Sequence, residues 1–400
     1  DGQPTNGWNL ERASRALRGK PGTTVSLIVE RTGVADRMPF HIVRRDIHVA
    51  SVRHPLMLSD RVGYLGLTVF SDSSDDELRN AIGALRRRGM QTLLFDLRGN
   101  PGGLLEQGVG VSSMFLARGQ DIVDMRGRTP SATANIRNRV AQLWPDLSVI
   151  VLVDGHTASA AEIVAGALQD HDRALIVGSP SYGKGVAQSV FSLGDAALKL
   201  TTARWFTPSG RSIQKLHVDT ASDDAGDSAI AHPDTTRSVY HTDAGRTVYG
   251  GGGITPDVVV APDTVNALLA FQEQLGAGIQ PFRDALTETA VAVKAGHDVT
   301  SPDFTVTPAM REALWSKVQR KHIALDRAHF DAAAPQIDQL LGGEIAGFVF
   351  GQDAAFRRSL SRDLVVAAAL DLANHAHSEH DLLMEAAARS AKRSAVPPRP

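Results

Sequence analysis

Residues 149–188 read VIVLVDGHTASAAEIVAGALQDHDRALIVGSPSYGKGVAQ, and the fold turns on this stretch. It opens on five apolar residues, Val149 to Val153, too short a run for a helix and rich in β-branched side chains, which predicts a buried strand. Asp154 and Gly155 end it. From Ala160 the period changes. Ile163, Val164, Ala167 and Leu168 share one face of a helix, with Glu162 in the first turn, where a helix favours negative charge. Ser159 is thereby placed at the corner between a buried strand and a helix. A serine there projects from the sheet, Ala158 and Ala160 are small enough to let a substrate approach, and the helix amino terminus offers unpaired N–H groups to a developing oxyanion. Taken alone, the same corner reads more readily as a serine N-cap.

Lys184 lies downstream in Ser181-Tyr182-Gly183-Lys184-Gly185, a loop between the apolar run Ala174 to Val177 and a second strand-like segment, Val186 to Leu193. A lysine acts as general base only when neutral, and an unperturbed amine is neutral in roughly one molecule in a few thousand at pH 7. Burial lowers that pKa, and the flanking glycines let backbone close around the amine. By itself a G-K-G reads as an exposed loop lysine.

Together these residues resemble the C-terminal processing peptidases, or tail-specific proteases, which are serine peptidases using a Ser-Lys dyad and carrying a PDZ domain. TASAAEIVAGALQD is similar to the family's S-A-S-A-S-E block, and Y-G-K-G-x-x-Q follows at the family's distance. Thr157 and Ala161 depart from it where the family often has serines, which leaves Ser159 as the only serine between Val149 and Gly178. The resemblance implies Ser159 as nucleophile, Lys184 as its base and Gln188 as the residue that orients the lysine. Thr92 to Phe95 reads as another short buried strand, running into Asp96-Leu97-Arg98-Gly99-Asn100-Pro101-Gly102-Gly103, which is similar to the family's D-L-R-x-N-x-G-G. That motif implies an oxyanion hole of the Gly103 and Ala160 N–H groups. Asp96 and Arg98 read as structural.

The chain has 400 residues, too many for one ordinary domain, so two or three units are expected. A formal charge of -2 gives no support for nucleic-acid binding, and the lack of cysteine removes disulfides and thiolate metal sites. No apolar run is long enough to span a membrane as a helix. The chain opens at Asp1 in mid-motif, from which we expect a preceding portion with a signal or anchor.

In order, residues 1–53 resemble the carboxy-terminal half of a PDZ domain: a short helix at Leu10, Ala13 and Leu17, a strand at Val25 to Val29, and a segment from Phe40 to Val43. Residues 54–262 are the expected peptidase core. Within it, Ser74 to Arg88 is a predicted helix opened by a Ser74–Glu77 capping box, and the alternation of strand and helix predicts a largely parallel α/β sheet. The resemblance sharpens this to a Clp-protease/crotonase-like spiral core. After Gln188 antiparallel strands are expected, with turns at Leu193-Gly194-Asp195 and Thr207-Pro208-Ser209-Gly210 and a polar surface insertion over 219–244. Residues 263–400 read as a helical C-terminal region, with helices at Val265–Leu275, Phe282–Val293, Met310–His322, Ile337–Phe350 and Phe356–His375 and a fraying basic tail from Arg389.

Three rival readings attach to the same residues. Gly178 to Lys184 fits the G-x-x-x-x-G-K spacing of a nucleotide loop, but Gly185 stands where Ser or Thr must hold magnesium and a strand follows where phosphate needs a helix. His156, with Asp96 or Asp154, could serve a Ser-His-Asp hydrolase, although a histidine inside the elbow must fold back to reach the hydroxyl. A PDZ-bearing scaffold or pseudoprotease is the non-enzyme alternative. His375, His377 and His380 are the one candidate metal cluster and read more readily as solvated. The expectations are a serine endopeptidase with no metal, nucleotide or other cofactor. Its partners are protein substrates with flexible C-terminal tails rather than nucleic acid, with homo-oligomerisation through the helical region. The resemblance implies a bacterial cell envelope or periplasmic location.

Overall fold

The computed structural model describes residues 2–5, 7–30, 36–194, 196–215, 238–260 and 271–394. It divides into two compact units: Asp1–Val49 with Thr264–Ser361, and Ala50–Asp263 with Arg362–Pro400.

The second unit is built on a six-stranded sheet. In spatial order it runs β14 (Val258–Val259), β9 (Leu175–Gly178), β8 (Ser148–Val153), β5 (Thr92–Asp96), β4 (Val62–Leu67) and β3 (Val52–Met57). All neighbours are parallel except β3 and β4. The expected parallel α/β core is therefore present, with one antiparallel edge strand, β3, that the hydrophobic pattern does not announce. Leu93, Phe95, Val149, Val151, Val153 and Ile176 pack in one core with α2 (Ser74–Arg87), α3 (Leu105–Phe115) and α4 (Ala160–Asp170). The alternate residues Leu94, Ile150, Leu152, Leu175 and Val177 are buried as well, so both faces of the sheet are covered, which is why these strands read as unbroken apolar runs. Every residue of α4 is buried, so this helix is not the one-sided helix that its apolar face suggests.

Cover on β4, β5, β8 and β9 comes from α10 (Leu364–His375) and α11 (Glu379–Ser394). The single helix expected over Phe356–His375 is thus two, α9 (Gln352–Leu360) and α10. Asp363 starts the second by accepting from the N–H groups of Val365 and Val366, and the boundary between the units falls there. Burial pushes the Glu379 carboxyl up to about 8, although Arg173 lies 3.1 Å from its Oε2 and the Val149 N–H donates to the same oxygen; Oε1 has no partner among the described residues. The tail expected to fray from Arg389 is helical to Ser394, and Arg389 pairs with Glu385 and Asp371.

The capping box at Ser74 does not form. Ser73 is the N-cap, and Ser74 Oγ turns to Ser51 Oγ and Val69 O. The Glu77 carboxylate accepts instead from Ser51, from the Val52 N–H and from Ser73 Oγ; against the rise that burial causes, these bonds bring it down to about 2.

A second sheet has the order β10 (Val186–Leu193), β11 (Ala196–Phe206), β6 (Asp121–Gly127) and β7 (Ala134–Arg137), all antiparallel. The turn at Gly194 is as expected, and Thr207 and Gly210 close the next one through Gly210 N–H to Thr207 O at 2.8 Å. Of the expected insertion, 219–237 lies outside the described residues, as does Asp195. Its last part and the residues that follow form a hairpin, β12 (Val239–His241) with β13 (Thr247–Tyr249), held to the end of α4 by His171 and Asp243 at 2.7 Å.

The first unit holds α1 (Leu10–Leu17) and an antiparallel pair, β1 (Thr24–Val29) with β2 (Met38–Val43), at the positions expected for them. It also holds α5 (Ile279–Gly296), α6 (Pro308–Arg320), α7 (Arg327–Ala332) and α8 (Ala334–Phe350), which share a core through Phe282, Leu314, Phe330, Ile337 and Leu341, and α9, which packs on α8. Thr307 caps α6, with Pro308 in its first turn. The helix expected over Val265–Leu275 falls mostly outside the described residues.

Candidate active site

The carboxyl ends of β5, β8 and β9 release three loops that are tied to one another. The first, Leu97–Gly103, is held by Leu97 N–H to Leu152 O, by Asn100 Nδ2 to Leu67 O at 2.7 Å, and by Gly102 N–H to Asn100 Oδ1 at 2.8 Å. The second, Asp154–Ser159, joins it through Ala158 N–H to Asn100 O and through Thr157 Oγ1 to Leu97 O, both at 2.9 Å. The third carries Lys184 and joins the second through Tyr182 N–H to Thr157 O at 3.0 Å. Asp96 and Arg98 brace the base of the first loop. Arg98 pairs with Asp96 at 2.6 Å and with Asp363 at 2.7 Å, while Tyr64 Oη donates to Asp96, which accords with their structural reading.

Ser159 is half-buried and takes φ +56° and ψ −118°, a conformation costly for a residue with a side chain and characteristic of functional turns. Glu162 fixes it. This carboxylate is fully buried; its Oε2 accepts from Ser159 N–H and from Lys184 N–H, each at 2.9 Å, and its Oε1 accepts from Ser181 Oγ and from Gly183 N–H at 2.7 Å. The two nitrogens on Oε2 therefore lie no more than about 6 Å apart. Burial pushes the Glu162 carboxyl above its usual range, but all four partners donate, so a proton on either oxygen would displace a bond. The three-residue spacing from Ser159 announces the reach back to the Ser159 N–H. Nothing local announces the reach to residues 181–184; from the sequence alone Glu162 is only a charge in the first turn.

Lys184 is half-buried. Its carbonyl accepts from Trp205 Nε1 at 3.1 Å, and its neighbours are pinned by Gly185 N–H to Gln214 Oε1 and Lys215 N–H to Gly183 O. Gly183, at φ +87°, has no room for a side chain between Lys215 and Gly253. The side chains of Lys184 and Ser159 are not hydrogen-bonded to each other; such contacts commonly tighten only with substrate in place. Gln188 is exposed on β10, with Nε2 at 3.5 Å from Thr201 Oγ1 and no hydrogen bond to Lys184.

The N–H groups of Gly103 and Ala160 are both without an acceptor among the described residues. Gly102, which the motif reading did not single out, packs directly on the corner. A Cβ added there would lie 2.7 Å from Ser159 Cβ and 2.9 Å from Ala160 N, in the space beside that N–H. At Gly103, φ +149°, an added Cβ would overlap Phe70 O.

His156 sits on the exposed outside of the turn, 87% accessible, with Nδ1 3.8 Å from Asp154. After Lys184 comes strand β10, not a helix, so the phosphate-binding geometry is lacking. His375 and His377 bond to Asp371 O and to Arg61, and no group of three metal-ligating side chains is found among the described residues. None of the described helices is long and apolar enough to cross a membrane.

Residues 61–222 match the model of peptidase family S41. The chain is 40% identical over 223 residues to a carboxy-terminal-processing protease of Bartonella bacilliformis, covering 54% of this chain and 51% of that one. It is 34% identical over 219 residues to the carboxy-terminal processing protease CtpA of Bacillus subtilis, covering 54% and 46%. It thus spans about half the length of these relatives. A solved photosystem II D1 C-terminal processing protease is 26% identical, with 65% of this chain and 61% of that one covered, but at a TM-score of 0.39 the superposition carries no argument. Over residues 61–222, then, the chain is similar to peptidase family S41 and to proteases named for carboxy-terminal processing.

Proposed function

We propose that the protein is a serine endopeptidase that hydrolyses flexible protein chains near their carboxy termini through a Ser159–Lys184 dyad. Ser159 Oγ attacks the scissile carbonyl carbon while the neutral Lys184 amine takes its proton. The carbonyl oxygen becomes an oxyanion held by the N–H groups of Ala160 and Gly103. Lys184 then gives the proton to the leaving amine, and the C–N bond breaks to leave an acyl-enzyme. Water, deprotonated by the same amine, releases the second product and restores Ser159. Gln188 acts in this scheme by orienting Lys184, a role that needs its side chain to turn from Thr201 toward the amine.

The observation that carries the reading is the Glu162 carboxylate, one oxygen of which holds the backbone of Ser159 and of Lys184 together beside two unpaired N–H groups. The same reading takes the sheet unit as a Clp-protease/crotonase-like spiral core, residues 1–53 as half of a PDZ domain, the helical region 263–400 as an oligomerisation surface, and the bacterial cell envelope as the location. The relatives' names support the reaction and the tail preference.

The test is to incubate the protein with an unstructured polypeptide bearing an apolar carboxy terminus and to map the fragments by mass spectrometry. Ser159→Ala and Lys184→Ala should each abolish cleavage, and the double variant should lose little more, because the two groups act as a unit. Lys184→Arg should not restore it, since a guanidinium stays protonated. Robust cleavage by Ser159→Ala would refute the assignment.

A further inference from the structure

The strand that leaves the Lys184 loop is an open edge. β10 begins at Val186 and lies at the end of its sheet, paired among the described residues only with β11. In an antiparallel pair alternate residues face away from the partner, so about half of the N–H and C=O groups of β10 face the free side. Soluble proteins commonly guard such an edge with charge, proline or a covering element. The sequence of β10, VAQSVFSL, contains no charged residue and no proline.

The hairpin is also apolar on one face. Ser189 pairs with Leu200 and Phe191 with Leu198, so the alternation of side chains puts Ser189, Phe191 and Leu193 on the same side as Leu198 and Leu200. Phe191, Leu193, Leu198 and Leu200 are 47%, 60%, 46% and 50% accessible. They form a contiguous apolar stripe beside the open edge, of the kind that marks a binding surface.

From this we infer that β10 is a docking edge for the substrate polypeptide: an extended, apolar segment adds to it as a further strand, with alternate side chains against the Phe191–Leu198 stripe. The inference rests on the reading of Ser159 and Lys184 as the catalytic pair. What commits the edge to substrate is continuity. The open strand starts two residues beyond Lys184, and the Gly185 N–H is already taken by Gln214, so a chain laid along β10 from Val186 onward is led to the dyad loops. Backbone hydrogen bonds supply affinity without regard to sequence, and the stripe selects apolar residues at every second position. A peptidase that trims unfolded tails needs that combination.

The experiment measures binding rather than cleavage. A fluorescein-labelled decapeptide of valine, leucine and threonine is titrated into the Ser159→Ala protein and followed by anisotropy, alongside two versions N-methylated at alternate residues in the two phases. Strand addition predicts that one methylated phase loses more than about tenfold in affinity while the other keeps it. A Phe191→Lys, Leu193→Lys protein should bind the unmodified peptide more than about tenfold more weakly, with KM for the unstructured protein rising by a similar factor on the otherwise wild-type background. Equal affinity for both methylated phases, or undiminished binding by the lysine variant, would overturn the inference. So would a wild-type dimer that the lysine variant dissociates while peptide affinity stays the same, since the edge would then belong to a second copy of the chain. Labelling of wild-type Ser159 by a fluorophosphonate reports the nucleophile separately; its failure alongside phased peptide binding would count against the dyad and not against the docking edge.

Discussion

At the scale of single residues, the proposed site turns on a carboxylate whose hydrogen bonds all go to the protein's own loops. Glu162 accepts from Ser159, Ser181, Gly183 and Lys184, and every acceptor position it uses is filled by a donor. Glu162→Gln keeps its length but turns one oxygen into an NH2 group that faces two of those donors. Each buried donor left unpaired costs about 1–3 kcal/mol, and the loops will move to relieve it. We therefore expect kcat on the unstructured substrate to fall by on the order of a hundredfold with little change in KM, because displacement of the proposed dyad would damage chemistry more than binding. Thermal unfolding should still be cooperative. A variant with unaltered kcat would show that Glu162 does not position the pair. The corner itself was legible from residue types, since a β-branched run, a polar break and an apolar helical period leave little choice about where Ser159 falls. Glu162's second hand, on 183 and 184, was not, because that contact joins segments separated by a whole helix and strand. Gly102 was missed for a similar reason. Only packing shows that its lack of a side chain keeps space open beside the Ala160 N–H.

Among the elements, those with an unambiguous local pattern of apolar and turn residues are legible in the sequence. β8, β5, β9, α2 and β10 lie where their patterns place them. Errors cluster where a polar side chain had two options. Ser74 could cap its own helix or turn to Ser51, and it does the latter, which frees Glu77 to hold the start of β3. Asp363 could continue a helix or start one, and it starts α10. Glu379 makes the consequence of such choices measurable. Its carboxyl is raised from 4.5 to about 8 in the folded protein, chiefly by burial, so the folded state holds that proton more tightly than the unfolded chain does. The resulting stability is present below about 4.5 and is lost as pH rises through about 8. Glu379→Gln removes that loss. Urea midpoints at pH 5, 7 and 9 should show the variant gaining on the wild type between pH 5 and 9, by on the order of a few kcal/mol at most. A difference that does not vary with pH would mean that the carboxylate stays charged through its ion pair with Arg173.

For the whole molecule, the main feature hidden from sequence is that the unit carrying Ser159 and Lys184 is discontinuous. Residues 362–394 return to the sheet after the intervening helices of the other unit. The expectation of one helical region from 263 onward could not have separated them, because amphipathic helices carry no mark of which core they join. A chain ended after Ser361 would leave Leu94, Ile150, Leu152, Leu175 and Val177 without the cover of α10 and α11. It would also leave Arg98 without Asp363 and Arg173 without Glu379. We expect that truncation to be insoluble or to lack a cooperative unfolding transition by near-ultraviolet circular dichroism, and a soluble, active product would contradict the assignment of α10 and α11 to this unit.

The central claim is that an amine, not an imidazole, takes the proton of Ser159. The most direct measurement compares Lys184→Ala with His156→Ala on one unstructured substrate with an apolar carboxy terminus, with fragments identified by mass spectrometry and folding of both variants confirmed by thermal melts. His156 lies on the exposed outside of the turn and Lys184 in the loop that Glu162 ties to Ser159, so fragments should vanish with Lys184→Ala and persist at the wild-type rate with His156→Ala. Fragments that persist with Lys184→Ala and vanish with His156→Ala would contradict the account.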